Sequence, residues 1–256
     1  MKHKINLIGL CTLLLVLIVF FYGHENFWIW FFLLILISLC ITSFGAYKIQ
    51  WNYFLKSIHA GKPLGIALTF DDGPEPATTP AILEILKKYQ AKATFFVIGK
   101  KAVLYPELIH QIVEEGHTLA NHSYSHSNWI GFFSEKKLQA DISRNTELIK
   151  KLSGKQTRFF RPPFGVTNPK YRRILKSLNL ISIAWTLRSY DTTISNKEKL
   201  VKRITNNLFP GTIILLHDNQ NITLEALPDI LKYCNTFGIN IVNLADLIEQ
   251  EPYAEN

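Results

Sequence analysis

The sequence predicts an α/β protein: parallel strands wrapped by helices and closed or nearly closed into a barrel, preceded by two transmembrane helices. Three observations carry that expectation. Two long charge-free apolar runs open the chain, strand-like runs alternate with helix-period runs from residue 63 onward, and ionisable residues recur where those strands end.

The apolar runs come first. Of the 256 residues 48% are hydrophobic, and no charged residue lies between Ile5 and Tyr22 or between Phe27 and Tyr47. As a helix, each run can cross a hydrocarbon layer about 30 Å thick. Lys2, His3 and Lys4 would also suit the start of a signal peptide. The first run is long for one, however, no small-residue cleavage pattern follows it, and a second run comes at once. The expected organisation is a membrane anchor over 1–47, with spans at 5–22 and 27–47, a linker over 48–62, a further domain over 63–250 and a tail over 251–256. Lys2 and Lys4 precede the first span, and Lys48, Lys56 and Lys62 follow the second, which places both ends in the cytoplasm by the positive-inside rule. The formal net charge of +8 suits either a domain beside anionic lipid or a surface of solvated lysines. No Lys/Arg tract interleaved with aromatics points to nucleic acid. Cys11 and Cys40 fall inside the spans and Cys234 in a helical pattern, so neither a disulfide framework nor a thiolate metal site is indicated.

Beyond residue 63 the elements follow in order. Leu64–Leu68 is an apolar run short enough for a buried strand, and Ile82, Leu83, Ile85 and Leu86 give helical spacing over 78–90. Ala93–Gly99 reads as a strand, 106–115 as an amphipathic helix stopped at Gly116, and 117–120 as a short strand. A long helix over 134–152 is opened by Ser134 and closed at Gly154. Arg158–Arg161 is strand-like and stopped by Pro162-Pro163. Helices over 169–178, 197–207, 223–237 and 245–250 alternate with strands over 181–187, 212–216 and 239–243. Strands alternating with helices imply parallel strands wrapped by helices, with the chemistry at the carboxyl ends of the strands.

Thr69-Phe-Asp-Asp-Gly-Pro follows the first strand, so Asp71 and Asp72 sit where a turn can bring both into one cleft. Two adjacent carboxylates call for a cation, although an ordinary Asp-Gly turn or a helix cap accounts for the same residues. His122-Ser-Tyr-Ser-His126 follows the third strand. If that segment turns helically, both imidazoles share one face and, with Asp72, make a three-ligand set with a position left open; otherwise they are two surface histidines. Arg161-Pro-Pro-Phe puts a guanidinium at a strand end and makes Phe164 the owner of the first free N–H after it, a candidate oxyanion donor. A structural ion pair at a rigid bend is the plainer alternative. His217 closes the apolar run Leu215-Leu216 and is placed either to move a proton or to hydrogen-bond within a loop.

With these motifs in hand, residues 63–250 resemble the NodB-homology polysaccharide deacetylases, carbohydrate esterase family 4, in five blocks taken in order. The resemblance implies the distorted barrel of the polysaccharide deacetylase type. It also implies Asp71 as catalytic base, Asp72, His122 and His126 as ligands of a divalent metal, zinc by preference, and Arg161 as the residue that holds the base. Trp185 to Asp191 corresponds to the fourth block, with Asp191 orienting His217, the general acid of the fifth. The fourth block departs from the family pattern by carrying Arg188 and Thr192 at places usually held by Asp and Trp, which bears on substrate contacts.

The implied reaction is hydrolysis of an N-acetyl group on an amino sugar, either an N-acetylglucosamine-containing polysaccharide or a lipid-linked saccharide beside the bilayer. Tyr124, Trp129 and Leu215 are candidate sugar contacts, while Tyr124, Trp129, Phe132 and Phe133 could equally pack on the barrel or the bilayer. Family habit sets such domains outside the cytoplasm, against the lysine distribution. Two alternatives belong to other classes: a catalytically inactive membrane-anchored sugar-binding module, and a hairpin that scaffolds an export complex with the barrel as passenger.

Overall fold

Two helices, α1 (Lys2–Phe21) and α2 (Phe27–Tyr47), pack antiparallel at the start of the chain in the computed structural model, which describes residues 2–254. Only 6% of each apolar window is enclosed, so their side chains face outward instead of filling a core. Polar groups near their open ends satisfy one another: Asn6 Nδ2 donates to Ser38 Oγ at 3.1 Å and Thr42 Oγ1 at 3.2 Å.

The sheet is built from β1 (Ser57–Ile58), β2 (Ala67–Asp71), β3 (Ala93–Val97), β4 (Thr118–Asn121), β5 (Phe159–Phe160), β6 (Ile181–Ile183), β7 (Leu187–Arg188) and β8 (Ile213–His217). Around and between them lie α3 (Thr79–Lys88), α4 (Gly99–Leu104), α5 (Pro106–Glu114), α6 (Glu135–Ser153), α7 (Pro169–Ser177), α8 (Lys197–Thr205), α9 (Asn221–Thr236) and α10 (Leu244–Ile248). All eight strands are parallel in the order β1-β6-β5-β4-β3-β2-β8-β7, a curled sheet whose two ends do not pair. This is the parallel, helix-wrapped sheet expected from the alternation, in the distorted form that the family resemblance implies.

Strand parity then sets the two sides of the sheet. Leu68, Phe70, Phe95, Leu119, Ile214 and Leu216 point outward into one core with Ile82, Leu86, Ile109, Ile149, Leu200 and Leu227 of the helices. Ala67, Phe96, Ala120, Phe159, Ile183, Ile213 and Leu215 point inward, closed below by Leu244 and Leu247 of α10. Ser134 caps α6 as the sequence implies, its Oγ accepting from Lys137 N–H, and the structure adds Asn168 and Asn196 as side-chain caps of α7 and α8.

Four expectations are modified. The first strand begins at Ala67, so Asp71 is its last residue and not a residue beyond it. The run 239–243 makes one bridge, Ile66 to Ile241, before α10 begins. The run 181–187 splits into β6 and β7 at opposite ends of the sheet, because the Arg161 guanidinium takes the carbonyls that a continuing ladder would use: Nε donates to Ile183 O at 3.2 Å and Nη2 to Ala184 O at 3.0 Å. Finally, the expected linker is part of the domain. Ile49 and Leu55 are buried in the barrel clusters, β1 pairs with β6, Gly61 N–H donates to Gly211 O at 2.9 Å, and Ala60 bridges to Thr212, so residues 49–61 fill the open side of the barrel.

Candidate active site

The same strand parity gathers the ionisable groups. Asp71 shares the inward face of β2 with Ala67 and Thr69, and His217 shares that of β8 with Ile213 and Leu215; the two are paired in register at the carboxyl end of the sheet. Arg161 and His122 continue the inward parity of Phe159 and Ala120 just past β5 and β4. Arg161 is fully buried, which is tolerable because each of its three guanidinium nitrogens is hydrogen-bonded and Asp71 supplies the counter-charge. Nη1 donates to Asp71 Oδ1 at 2.7 Å and to Thr69 Oγ1 at 2.9 Å, the two carbonyls of residues 183 and 184 take the rest, and the Phe96 ring lies 4.0 Å from Cζ. Burial lowers the guanidinium pKa and the Asp71 charge offsets it.

Asp72, with φ at 72°, turns its carboxylate away from Asp71 and toward the two histidines. His126 Nε2 lies 3.2 Å and His122 Nε2 3.5 Å from Asp72 Oδ1, and one ligand atom from each of the three residues lies within 4.8 Å of the others. Oδ1 is buried and accepts no hydrogen bond. His122 Nδ1 donates to Arg161 O at 2.8 Å, which fixes that ring and leaves its Nε2 lone pair facing Asp72. An orphaned carboxylate oxygen between two imidazole nitrogens, one of them held by a carbonyl behind it, fits a divalent cation with oxygen and nitrogen ligands. The histidines meet through a loop and not through a helical turn. Ser123 and His126 have positive φ, His126 N–H donates to Ser123 Oγ at 3.0 Å, and Asp141 of α6 accepts from Tyr124 N–H at 2.9 Å and Ser125 N–H at 3.2 Å.

Charge is therefore concentrated here. Burial would raise the Asp72 pKa, but contact with His122 and the charges of His122, His126 and His217 outweigh it and hold it low. Burial disfavours the His122 cation, yet Asp71 and Asp72 raise its pKa. For His126 burial and then the His122 charge win, bringing it down to about 4. On the opposite wall Asp191 Oδ1 meets His217 Nδ1 at 2.7 Å, while its Oδ2 accepts from His217 N–H and Thr223 Oγ1, each at 2.7 Å. Burial works against the imidazolium, but Asp191, followed by Asp71 and Asp72, lifts His217 to about 9.

Phe164 stands with φ at 61°, and its N–H enters no hydrogen bond among the described residues. A non-glycine residue held in the left-handed region beside ionisable groups marks a site where backbone is positioned for a purpose. Its neighbour Gly165 has to be glycine: φ is 68°, and a Cβ would lie 2.4 Å from the Trp185 ring. Trp185 thus closes down on this loop. The resulting cleft, about 200 Å³, is lined by Asp71, Asp72, His122, His126, Phe164 and His217, with Trp185, Leu215, Arg188 and Thr192 around them.

The site residues expected from sequence converge, apart from two of the sugar contacts. Leu215 lines the cleft, whereas Tyr124 and Trp129 do not. Tyr124 is packed under the Arg144 guanidinium at 3.6 Å, and Trp129 is 70% exposed against Phe132 on the loop beyond. Sequence reasoning missed Thr69, which steadies Arg161, Trp185 as a cleft wall, and Asp141 and Asn145 of α6. Asn145 carried a legible signal: it interrupts the apolar stripe Leu138, Ile142, Ile149 and is fully buried.

A parallel barrel with these groups at the carboxyl ends of its strands defines an α/β-barrel hydrolase. The family model described as polysaccharide deacetylase matches residues 60–183. Peptidoglycan-N-acetylmuramic acid deacetylase of Bacillus subtilis is 37% identical over 191 residues, 74% of this chain, and the match spans 40% of that relative's length. A peptidoglycan-N-acetylglucosamine deacetylase of Bacillus cereus is 34% identical, covering 72% of this chain and 87% of the relative. A peptidoglycan N-acetylglucosamine deacetylase crystallised with 4-naphthalen-1-yl-N-oxidanyl-benzamide superposes with a TM-score of 0.73 at 29% identity, over 77% of this chain and 95% of that one. The chain belongs to the polysaccharide deacetylase family with NodB homology, carbohydrate esterase family 4.

Proposed function

We propose that the protein removes N-acetyl groups from amino sugars, in an N-acetylglucosamine-containing polysaccharide or a lipid-linked saccharide, from a position anchored in the membrane. The observation that carries this reading is the convergence of the Asp72–His122–His126 ligand set with the Arg161–Asp71 pair and the Asp191–His217 pair in one cleft. Asp72, His122 and His126 would hold a divalent cation, zinc by preference, which when bound supplies Lewis-acid polarisation of a carbonyl and a more acidic water.

The chain's own groups account for the proton transfers. Asp71 Oδ1 is fixed by Arg161, which leaves Oδ2, 3.8 Å from His122 Nε2, to take the proton of the attacking water. The Phe164 N–H meets charge developing on the acyl oxygen. His217, charged at neutral pH through Asp191, gives its proton to the departing amine, which cannot leave as an anion. Trp185 and Leu215 form an apolar wall beside the acyl position, and Arg188 and Thr192 edge the cleft toward the rest of the sugar.

Membrane anchorage rests on the hairpin's attachment to the domain. Asn6 Nδ2 donates to the Tyr53 hydroxyl at 2.8 Å, Thr167 N–H to Ala46 O at 2.9 Å, and Gly45 lets Tyr53 approach so closely that a Cβ there would lie 2.3 Å from its ring. A first helix tied to the folded domain in this way favours a retained span over a removed leader. A C-terminal reporter active on one side only tests the side: the lysine distribution predicts a cytoplasmic signal, and an external one would overturn it.

The function is tested with the full chain in detergent, loaded with zinc and given an N-acetylglucosamine oligomer. Acetate release is expected, with His122→Ala losing bound metal and lowering turnover by a factor of about 10²–10⁴ while keeping its circular dichroism. Binding of the oligomer with no acetate from the native chain would replace this reading with that of a sugar-binding module.

A further inference from the structure

A second recess, of about 290 Å³, adjoins the cleft and shares Trp185 and Arg188 with it. Its floor is the end of α2 and the turn just beyond it, with Tyr47, Lys48 and Gln50, and Arg203 of α8 closes the far side. Gln50 Nε2 donates to Trp185 O at 3.2 Å, so the turn that follows α2 is joined to the cleft wall.

The charge in this recess has one sign. Lys48, Arg188 and Arg203 line it, no carboxylate does, and neither arginine pairs with an acid among the described residues. The Arg203 guanidinium is also held in place, and that of Arg188 rests against aromatic rings. Arg203 Nε and Nη2 donate to Arg188 O at 3.1 and 2.9 Å, and both arginines lie over the Tyr190 ring, with Cζ at 4.3 Å for Arg203 and 5.2 Å for Arg188. Positioned cations that repel one another and lack a counter-charge are suited to an incoming anion, and guanidinium forks match phosphate oxygens in particular. The position of the second helix points to the source. With that helix spanning the bilayer as proposed above, its last residue, Tyr47, brings the recess to the level where the helix would leave the hydrocarbon and meet lipid phosphates.

We infer that this recess is an anion subsite that takes the phosphate or diphosphate of a lipid-borne saccharide while the N-acyl sugar occupies the adjoining cleft. This rests on the deacetylase reading above and narrows its substrate to the lipid-linked class. It also gives the arginine that departs from the family pattern a role, since Arg188 is the charged residue among the two that line both compartments.

The test uses the full chain in phosphatidylcholine nanodiscs, with polyprenyl-diphosphate-linked N-acetylglucosamine and a neutral N-acetylglucosamine tetramer as paired substrates. For Lys48→Gln combined with Arg203→Gln, kcat/KM on the lipid-linked sugar is expected to fall at least tenfold, mainly through KM, with tetramer turnover moving less than twofold. Arg203→Lys, which keeps the charge, should retain a third or more of the native value. Equal losses on both substrates, or no loss on either, overturn the subsite. If phosphatidylglycerol in the discs changes tetramer turnover of the native chain but not of the variant, and the lipid-linked sugar has no advantage, the occupant is a bilayer headgroup and the proposal fails. Binding of the lipid-linked sugar is measured separately. Charge-dependent binding without acetate release leaves the subsite standing and defeats the deacetylase reading; acetate release from the tetramer without such binding does the reverse.

Discussion

Asp191 is the residue on which the acid arm of the site turns. Its two oxygens accept three hydrogen bonds, two of them from His217, and so fix the ring, its tautomer and the strand end that carries it. Burial lowers the His217 pKa, but Asp191 and then Asp71 and Asp72 overcome it and carry it to about 9 from 6.5. Because the folded value is the higher one, the protonated form is favoured by folding. The associated stability is fully present below about 6.5 and is lost as pH rises through about 9. Activity shares the upper limit, since a neutral His217 has no proton for the amine. Asp191→Asn should therefore move the alkaline limb of the pH–rate profile downward by at least about one unit, with kcat reduced by a factor of about 10²–10⁴. A limb that stays in place while kcat falls would show that Asp191 positions the ring without setting its charge.

At the level of elements, strand parity explains how much could be read in advance. Thr69, Asp71, Arg161, Leu215 and His217 share one parity with the apolar residues of the barrel interior, so motifs recognised separately in the sequence had to meet once the strands were parallel and in register. What could not be read depends on contacts between elements. The histidine loop needs α6 behind it: Asn145 Nδ2 donates to Val97 O at 2.9 Å, Ser123 O at 2.9 Å and Asn121 Oδ1 at 3.0 Å, tying β3, β4 and the loop to one side chain. The break that Asn145 makes in the apolar stripe of α6 is visible in the sequence, but the three partners it joins are not. The division of 181–187 into two strands was equally hidden, because it is imposed by a guanidinium contributed from Arg161, about twenty residues earlier in the chain. Asn145→Leu tests the supporting role of α6. It should weaken affinity for the divalent cation proposed at Asp72, His122 and His126 by about 10- to 100-fold and cost about 1–3 kcal/mol of stability, read by metal titration and denaturant melts. Unchanged affinity with lowered stability would make Asn145 a core residue only.

For the whole molecule, the junction between anchor and barrel matters most. Composition alone makes residues 48–62 look like a tether that could swing, yet they close the gap between the two ends of the sheet and touch the cleft wall through Gln50. The helical hairpin is therefore held in a fixed position relative to the cleft, which a flexible linker could not do. A soluble fragment shows the consequence. One that begins at Pro63 loses β1 and the side chains of Ile49, which fills the barrel interior, and Leu55, which packs in the cluster beneath α6 and α7. At about 1.5–3 kcal/mol for each large apolar side chain removed from the core, that is about 3–6 kcal/mol out of a typical 5–15 kcal/mol for a domain. A fragment that begins at Lys48 keeps both side chains and the edge strand, and exposes instead the surface of Tyr53 and Phe54 that meets α1. The longer fragment should unfold cooperatively in urea at a clearly higher midpoint, while the shorter should be poorly soluble or melt broadly. Equal midpoints would mean that the barrel closes without its N-terminal strand, and the anchor would then be free to move relative to the cleft.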